Sequence, residues 1–231
     1  MKKCGKSSSK ILFLTIQIFL ITTYLSHNSV AETSKDPLCF DFSVPVKTPL
    51  KAYKGTKAKN KDVTDSGKFT YSGGGIWGSA LGKVDLPIQN IYQLLLDHYT
   101  IKDPGKVRLK VYPQERPGFQ DFHVVMVTVP TPIFNVNWEE EWAYTIPEGT
   151  STSPKKVVVS YQKTTGTRYV PHLCGSIVLN SLGPQSTEVY LYEEINALGK
   201  RSPGDTVKGH IGTLETLRRQ IASAKTPAKI N

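Results

Sequence analysis

Residues Phe134 to Tyr144 read FNVNWEEEWAY, and the alternation within this stretch decides how the chain folds. Successive side chains of a strand point to opposite faces. One face therefore carries Phe134, Val136, Trp138, Glu140, Trp142 and Tyr144, and the other Asn135, Asn137, Glu139, Glu141 and Ala143. The first face is aromatic and apolar with a single carboxylate, Glu140, set into it. Such a face suits a concave wall that grips a mostly apolar molecule and orients it through one polar group.

Further strands lie on both sides of this one. Val107, Leu109 and Val111 alternate with Lys106, Arg108 and Lys110, which gives an apolar and a basic face. Phe122 to Val129 is strongly apolar, and Pro130 and Pro132 end it. Downstream, the apolar rows are Val157, Val159 and Tyr161, then Tyr169, Leu173, Ile177 and Leu179, then Val189, Leu191 and Ile195 with Glu193 among them. His172 and Cys174 face away from their row.

Upstream, Phe69 to Val84 reads as an irregular strand region holding Gly73, Gly74, Gly75 and Gly78. No lysine and serine or threonine follow these glycines as a phosphate loop needs, so a nucleotide site is not supported. Glycine inside a strand marks a bulge or the close approach of another backbone.

Two helices complete the pattern. After Pro87, the segment Ile88 to His98 places Ile88, Ile91, Tyr92 and Leu95 on one face. Near the end, Ser202, Pro203 and Asp205 mark a helix start, and Val207, Ile211, Leu214, Leu217 and Ile221 recur at helical spacing opposite Lys208 and Arg219. The aromatic sheet face is the expected partner of that stripe. The order predicts an α+β fold, a curved antiparallel sheet wrapped around a long C-terminal helix, with a short helix after the first strand.

Residues 1–31 have the form of a cleaved signal peptide. Lys2, Lys3, Lys6 and Lys10 precede an apolar run from Ile11 to Leu25, and Ser29-Val30-Ala31 offers small residues for cleavage. Cys4 lies in the basic region, misplaced for a lipoprotein cysteine. Export to the periplasm or beyond is the expectation. Removing this segment, which holds four lysines and no acid, lowers the formal net charge from +10 to +6. For an exported chain that balance points to anionic membrane surface and away from nucleic acid.

Residues 32–67 read as a basic, partly disordered segment, since Lys47, Lys51, Lys54, Lys57, Lys59 and Lys61 come without an acid between Val46 and Lys61. The folded domain is expected over 68–226, with a tail at 227–231. Cys39 and Cys174, 135 positions apart, reach an oxidising compartment where such a pair can close; two independent thiols are the alternative, because sequence does not supply the geometry.

From Phe69 to Ala224 the chain resembles the START-like, helix-grip superfamily, which includes Bet v 1-like and polyketide cyclase-like domains. The resemblance rests on the short helix after Leu86-Pro87, the strand IFNVNWEEEW after a proline-rich turn, the run from Tyr169 to Leu182 into STEVY, and the terminal helix with LETLRRQ. Asn135 and Asn137 stand where many lipid-transfer members carry an Arg-Asp pair, so any role of that pair is not carried over. The resemblance implies a cavity between sheet and terminal helix for lipids, sterols, isoprenoids or polyketides, often without chemistry.

The expected ligand-binding residues are Trp138, Glu140, Trp142, Tyr144, Val159, Tyr161, Leu173, Ile177, Leu191, Glu193, Ile211 and Leu214. A binding or transfer protein for a hydrophobic ligand, working as a monomer without cofactor or metal, is the first reading. The alternative is a cyclase or hydratase of the same fold with Glu140 as general acid or base. Against both stands a structural reading of Glu140, in which a bulge shifts its register or a core tyrosine or basic side chain satisfies it. His98, His123, His172 and His210 show no metal-ligand spacing and read as ordinary surface or half-buried residues.

Overall fold

The computed structural model describes residues 38–52, 61–71, 73–100, 102, 105–199 and 202–224. The expected signal peptide, Lys54, Lys57 and Lys59 of the basic segment, and the tail at 227–231 lie outside the described residues.

Eight strands form one antiparallel sheet: β1 (Val63–Phe69), β2 (Gly75–Val84), β3 (Arg108–Pro113), β4 (Asp121–Pro130), β5 (Asn135–Gly149), β6 (Pro154–Gly166), β7 (His172–Gly183) and β8 (Ser186–Asn196). Their spatial order is β1-β2-β8-β7-β6-β5-β4-β3. The chain leaves β2 through helix α1 (Ile88–Leu96) and a single 3-10 turn (His98–Thr100), reaches the far edge at β3, and meanders back until β8 pairs with β2. Helix α2 (Pro203–Ala224) follows. This is the helix-grip arrangement, a curved antiparallel sheet with a long C-terminal helix.

Both helices form where the sequence marks them. In α1 the buried residues are Ile88, Ile91, Tyr92 and Leu95. In α2 the Ser202 amide donates to the Asp205 carboxylate at 2.8 Å, which satisfies one of the free N–H groups at the helix start. Leu214 and Leu217 are fully buried, while Lys208 and Arg219 face solvent.

The stripe of α2 lands elsewhere than the aromatic strand. It packs chiefly on β2, with β1 and β8 beside it, while α1 lies over β6 and β7. Glycines explain the choice. A Cβ at Gly78 would lie 2.8 Å from the Thr206 Cβ, and one at Gly82 would lie 2.8 Å from the Leu214 Cδ1, so helix and strand backbone meet there as no larger residue would permit. At the same contact His210 Nε2 sits 3.1 Å from the Gly78 carbonyl oxygen, and burial pushes the His210 pKa down to about 4, leaving a neutral ring that donates.

The start of the chain also differs from expectation. β1 begins at Val63, inside the segment read as a basic arm. Residues 38–52 lie against the outer, convex face of the sheet. Phe40 and Phe42 pack with Phe122, Ala143 and Cys174, and Leu50 with Trp77 covers Leu81, Val158, Val178, Tyr190 and Tyr192. Gln162 holds the Phe40 backbone from both sides at 2.9 and 3.1 Å, the Leu50 amide donates to Ser176 Oγ at 2.9 Å, and Cys39 is bonded to Cys174. Apolar and hydrogen-bonding residues fix residues 38–52, which hold only Lys47 and Lys51 of the basic run.

Candidate functional site

The inner face of the sheet gathers the residues singled out in the sequence. Trp138, Trp142, Tyr144, Val159, Tyr161, Leu173, Ile177, Leu191 and Leu214 belong to one buried cluster with α1, and Ile211 packs against it partly buried. Glu140 is fully buried and Glu193 half-buried.

Glu140 keeps its place between Trp138 and Trp142 although the ladder is irregular there. Glu139 pairs with Thr165 and Glu140 with Lys163, so the extra residue, Thr164, belongs to β6. The bulge bends the neighbour and leaves the alternation of β5 intact. Both flanking indoles then turn their N–H groups onto the carboxylate, Trp138 Nε1 to Oε1 at 2.7 Å and Trp142 Nε1 to Oε2 at 2.8 Å. Lys102, just after the 3-10 turn, completes the set with its Nζ 2.6 Å from Oε1. Its ammonium also lies 5.8 and 5.9 Å from the two indole ring centres. Three donors occupy most of the acceptor positions of one carboxylate.

A second carboxylate is reached through a row of paired residues that crosses the sheet, Trp142 on β5, Tyr161 on β6, Gly175 on β7 and Glu193 on β8. Trp142 and Tyr161 stack with ring centres 4.3 Å apart. The Tyr161 ring passes over Gly175, where a Cβ would come within 2.3 Å of its hydroxyl, and donates to Glu193 at 3.0 Å. Burial, with the charges of Glu193 and Glu140, raises the Tyr161 pKa well above its ordinary value, so it stays a neutral donor. The inner face is thus an aromatic wall with a carboxylate at each end of one stacked pair.

Beside Trp142 lies a pair of histidines. His98 Nε2 is 2.9 Å from His123 Nδ1, and the His98 ring meets Trp142 edge-on at 4.8 Å. Burial first, then His123 and Lys102, push the His98 pKa down to about 3, and burial lowers His123 as well. Two neutral imidazoles result, and His98 Nδ1 has no hydrogen-bond partner among the described residues. Below them Tyr144 donates to the Leu95 carbonyl at 3.1 Å and Tyr92 to Asp121.

Several sequence expectations are corrected. His98, His123, His172 and His210 are all buried, none of them a surface residue. His123 shares the inner row of β4 with Val125, Val127 and Val129, which alternation alone would have placed. Although no metal-ligand spacing marks the histidines in the sequence, His172 Nε2 lies 3.3 Å from Cys174 Sγ and 3.7 Å from Cys39 Sγ. Phe134 and Tyr169, expected on inner rows, precede their strands and stack on each other in the open, with ring centres 5.4 Å apart. Lys102 was not foreseen, since a lysine in a connecting segment carries no sequence mark of an inward-facing partner.

Solved structures with a similar course of chain include the human StarD13 (DLC2) lipid transfer and protein localization domain, at 14% identity and a TM-score of 0.49, covering 76% of this chain and 91% of that one. A fragment of a STAR-related lipid transfer protein from Xanthomonas axonopodis is similar at 14% identity and a TM-score of 0.49, covering 72% of this chain and 98% of its own. The Zhui aromatase/cyclase from Streptomyces sp. R1128 is similar at 14% identity and 0.44, covering 71% and 99%. No protein-family model and no curated protein sequence matches the chain. At these identities the likeness concerns the backbone, and nothing that those proteins bind or catalyse passes from it to this chain.

Proposed function

We propose that this is an exported binding or transfer protein for a hydrophobic molecule, a lipid, sterol or isoprenoid, held against the aromatic inner face between the sheet and its helices. The observation that carries this reading is the state of Glu140. A buried carboxylate ringed by one ammonium and two indole N–H groups is a fixed polar mark in an apolar wall, suited to orienting a ligand hydroxyl or headgroup. Its acceptor positions are largely taken, which favours a positioning role over proton transfer. Tyr161 with Glu193, and the buried, unpaired Nδ1 of His98, are the further polar groups available to a ligand on this face.

The signal-like start of the chain and the Cys39–Cys174 bridge support export. Among the described residues no helix is long and apolar enough to cross a membrane. Exposed Lys106, Arg108 and Lys110, at and before edge strand β3, would favour brief contact with anionic membrane.

The test is native mass spectrometry with organic extraction on the processed protein from its own envelope fraction. A lipid or isoprenoid at near one-to-one stoichiometry is expected. A reproducibly empty protein would overturn the carrier reading. With the ligand in hand, Glu140→Gln separates binding from catalysis: a carrier keeps most of its affinity, whereas an enzyme binds and fails to turn over.

A further inference from the structure

On the convex face, opposite the proposed ligand wall, four metal-ligating side chains from three distant parts of the chain converge. They are Cys39 of the N-terminal segment, His172 and Cys174 of β7, and Glu194 of β8, and their ligand atoms all lie within 4.8 Å of one another. We propose that, once the disulfide is reduced, these four residues form a four-coordinate zinc site that replaces the bridge as the tie between the N-terminal segment and the sheet.

The spacing is that of ligands around one ion. With zinc about 2.3 Å from sulfur and about 2.0 Å from nitrogen or oxygen, the corners of a tetrahedron lie about 3.3–3.8 Å apart. His172 Nε2 stands 3.3 Å from Cys174 Sγ, 3.7 Å from Cys39 Sγ and 3.6 Å from Glu194 Oε2, and Cys174 Sγ stands 3.9 Å from Glu194 Oε2. The two sulfurs, being bonded to each other, are closer than one ion's ligands. Parting them, with Cys39 and Glu194 adjusting within the 4.8 Å that bounds the set, is the rearrangement required.

The surroundings suit a metal. His172, Cys174 and Glu194 are buried. The Tyr192 hydroxyl donates to Glu194 Oε1 and orients the carboxylate from its outer side, as second partners of a ligand commonly do, while the Tyr71 hydroxyl donates to Oε2, the oxygen facing His172. The rings of Phe69 and Tyr71 pack on His172 at 5.3 and 6.0 Å and hold its orientation. Two thiolates, an imidazole and a carboxylate are a borderline-soft set that fits zinc, whereas the carboxylate is foreign to a monovalent copper site.

The electron count is simple. Opening the bridge takes two electrons, supplied in the test by a phosphine that becomes its oxide with oxygen from water, and leaves two thiols. Zinc binding releases both thiol protons. Closing the bridge passes two electrons to a small-molecule disulfide, which leaves as two thiols, and the ion is expelled.

Cobalt(II) is the probe. The full-length processed protein, reduced with a phosphine under argon, is titrated with cobalt while near-ultraviolet circular dichroism reports its fold. One cobalt per chain is expected, with a thiolate charge-transfer band and strong tetrahedral visible bands, displaced by zinc and absent from the oxidised protein. His172→Ala and Glu194→Gln should each weaken cobalt binding more than about tenfold, because loss of outer-shell partners alone costs that much. The proposal is overturned if folded, reduced protein gives no thiolate band. It is equally overturned if both variants bind as the parent does, or if reduction abolishes the fold and cobalt fails to restore it.

Discussion

The two faces of the sheet are both buried, but by different means. The inner face is covered by helices α1 and α2, and its polar groups pair within β5, from β6 across to β8, and with Lys102 of the connection after α1. The outer face is covered by residues 38–52, held by a disulfide, by Gln162 and Ser176, and by aromatic contacts with Phe122. Regular helices build one wall and a tethered irregular segment the other. A sheet can therefore be covered on both sides while only one side is proposed to meet a ligand.

The largest expected effect comes from removing the tethered cover. A chain beginning at Lys61, with Cys174→Ala, bares Phe122, Val158, Val178 and Tyr190 together, an apolar patch that monomeric proteins rarely expose. Self-association in analytical ultracentrifugation and strong binding of an apolar dye are expected. A monomeric, dye-free product would show that the outer face does not depend on its cover.

Next in size is the buried pair on the inner face. Lys102→Met leaves the Glu140 carboxylate with two indole donors and no cation, and breaking such a pair costs about 3–5 kcal/mol. Urea unfolding should show that loss, and Lys102→Met combined with Glu140→Gln should recover most of it. Equal stabilities for the single and double variants would mean that the pair carries no coupling.

Acid tests the inner face alone, because His98 and His210 are both buried neutral on that side, with pKa values pushed down to about 3 and about 4. In the unfolded chain each gains its proton near pH 6.5. Below that value the unfolded state binds more protons than the folded one, so this stability is whole above about pH 6.5. It is lost as pH falls towards the folded values, by about 1.4 kcal/mol per pH unit for each histidine. Between pH 6.5 and 5 the slope of unfolding free energy against pH should flatten measurably in His210→Gln, which retains a donor for Gly78. An unchanged slope would remove His210 from the account.

The sequence held more of the inner wall than of the outer. Alternation placed Trp138, Glu140, Trp142, Tyr161, Ile177 and Leu191 because each strand's inner row is mainly apolar, with Glu140, His123 and Glu193 as its polar interruptions. The same strands also carry Val158, Val178, Tyr190 and Tyr192 at the opposite parity. Strands apolar at both parities are covered on both faces, so the need for an outer cover was legible. What would supply the cover was not, since Phe40, Phe42 and Leu50 stand in an irregular segment with no strand or helix periodicity. Lys102 was hidden for a different reason: its partner lies 38 positions away and its own neighbours carry no periodic pattern. The burial of His98 likewise depends on how the connection after α1 folds back onto Trp142.

The smallest effect contrasts two lysines. Lys102 faces a carboxylate inside the sheet, whereas Lys51 of the outer cover lies with its Nζ 3.4 Å from the centre of the Trp77 ring and 5.5 Å from that of Tyr192. A cation over an aromatic face at an exposed position contributes about 0.5–1 kcal/mol. Lys51→Met keeps the apolar stem over Trp77 and removes only the charge, so its loss in urea unfolding should stay within that range. Lys51→Ala should lose more, because the stem also covers the ring. Equal losses would assign the contact to the charge alone. A loss as large as that of Lys102→Met would mean that the outer cover, too, is fixed by charge.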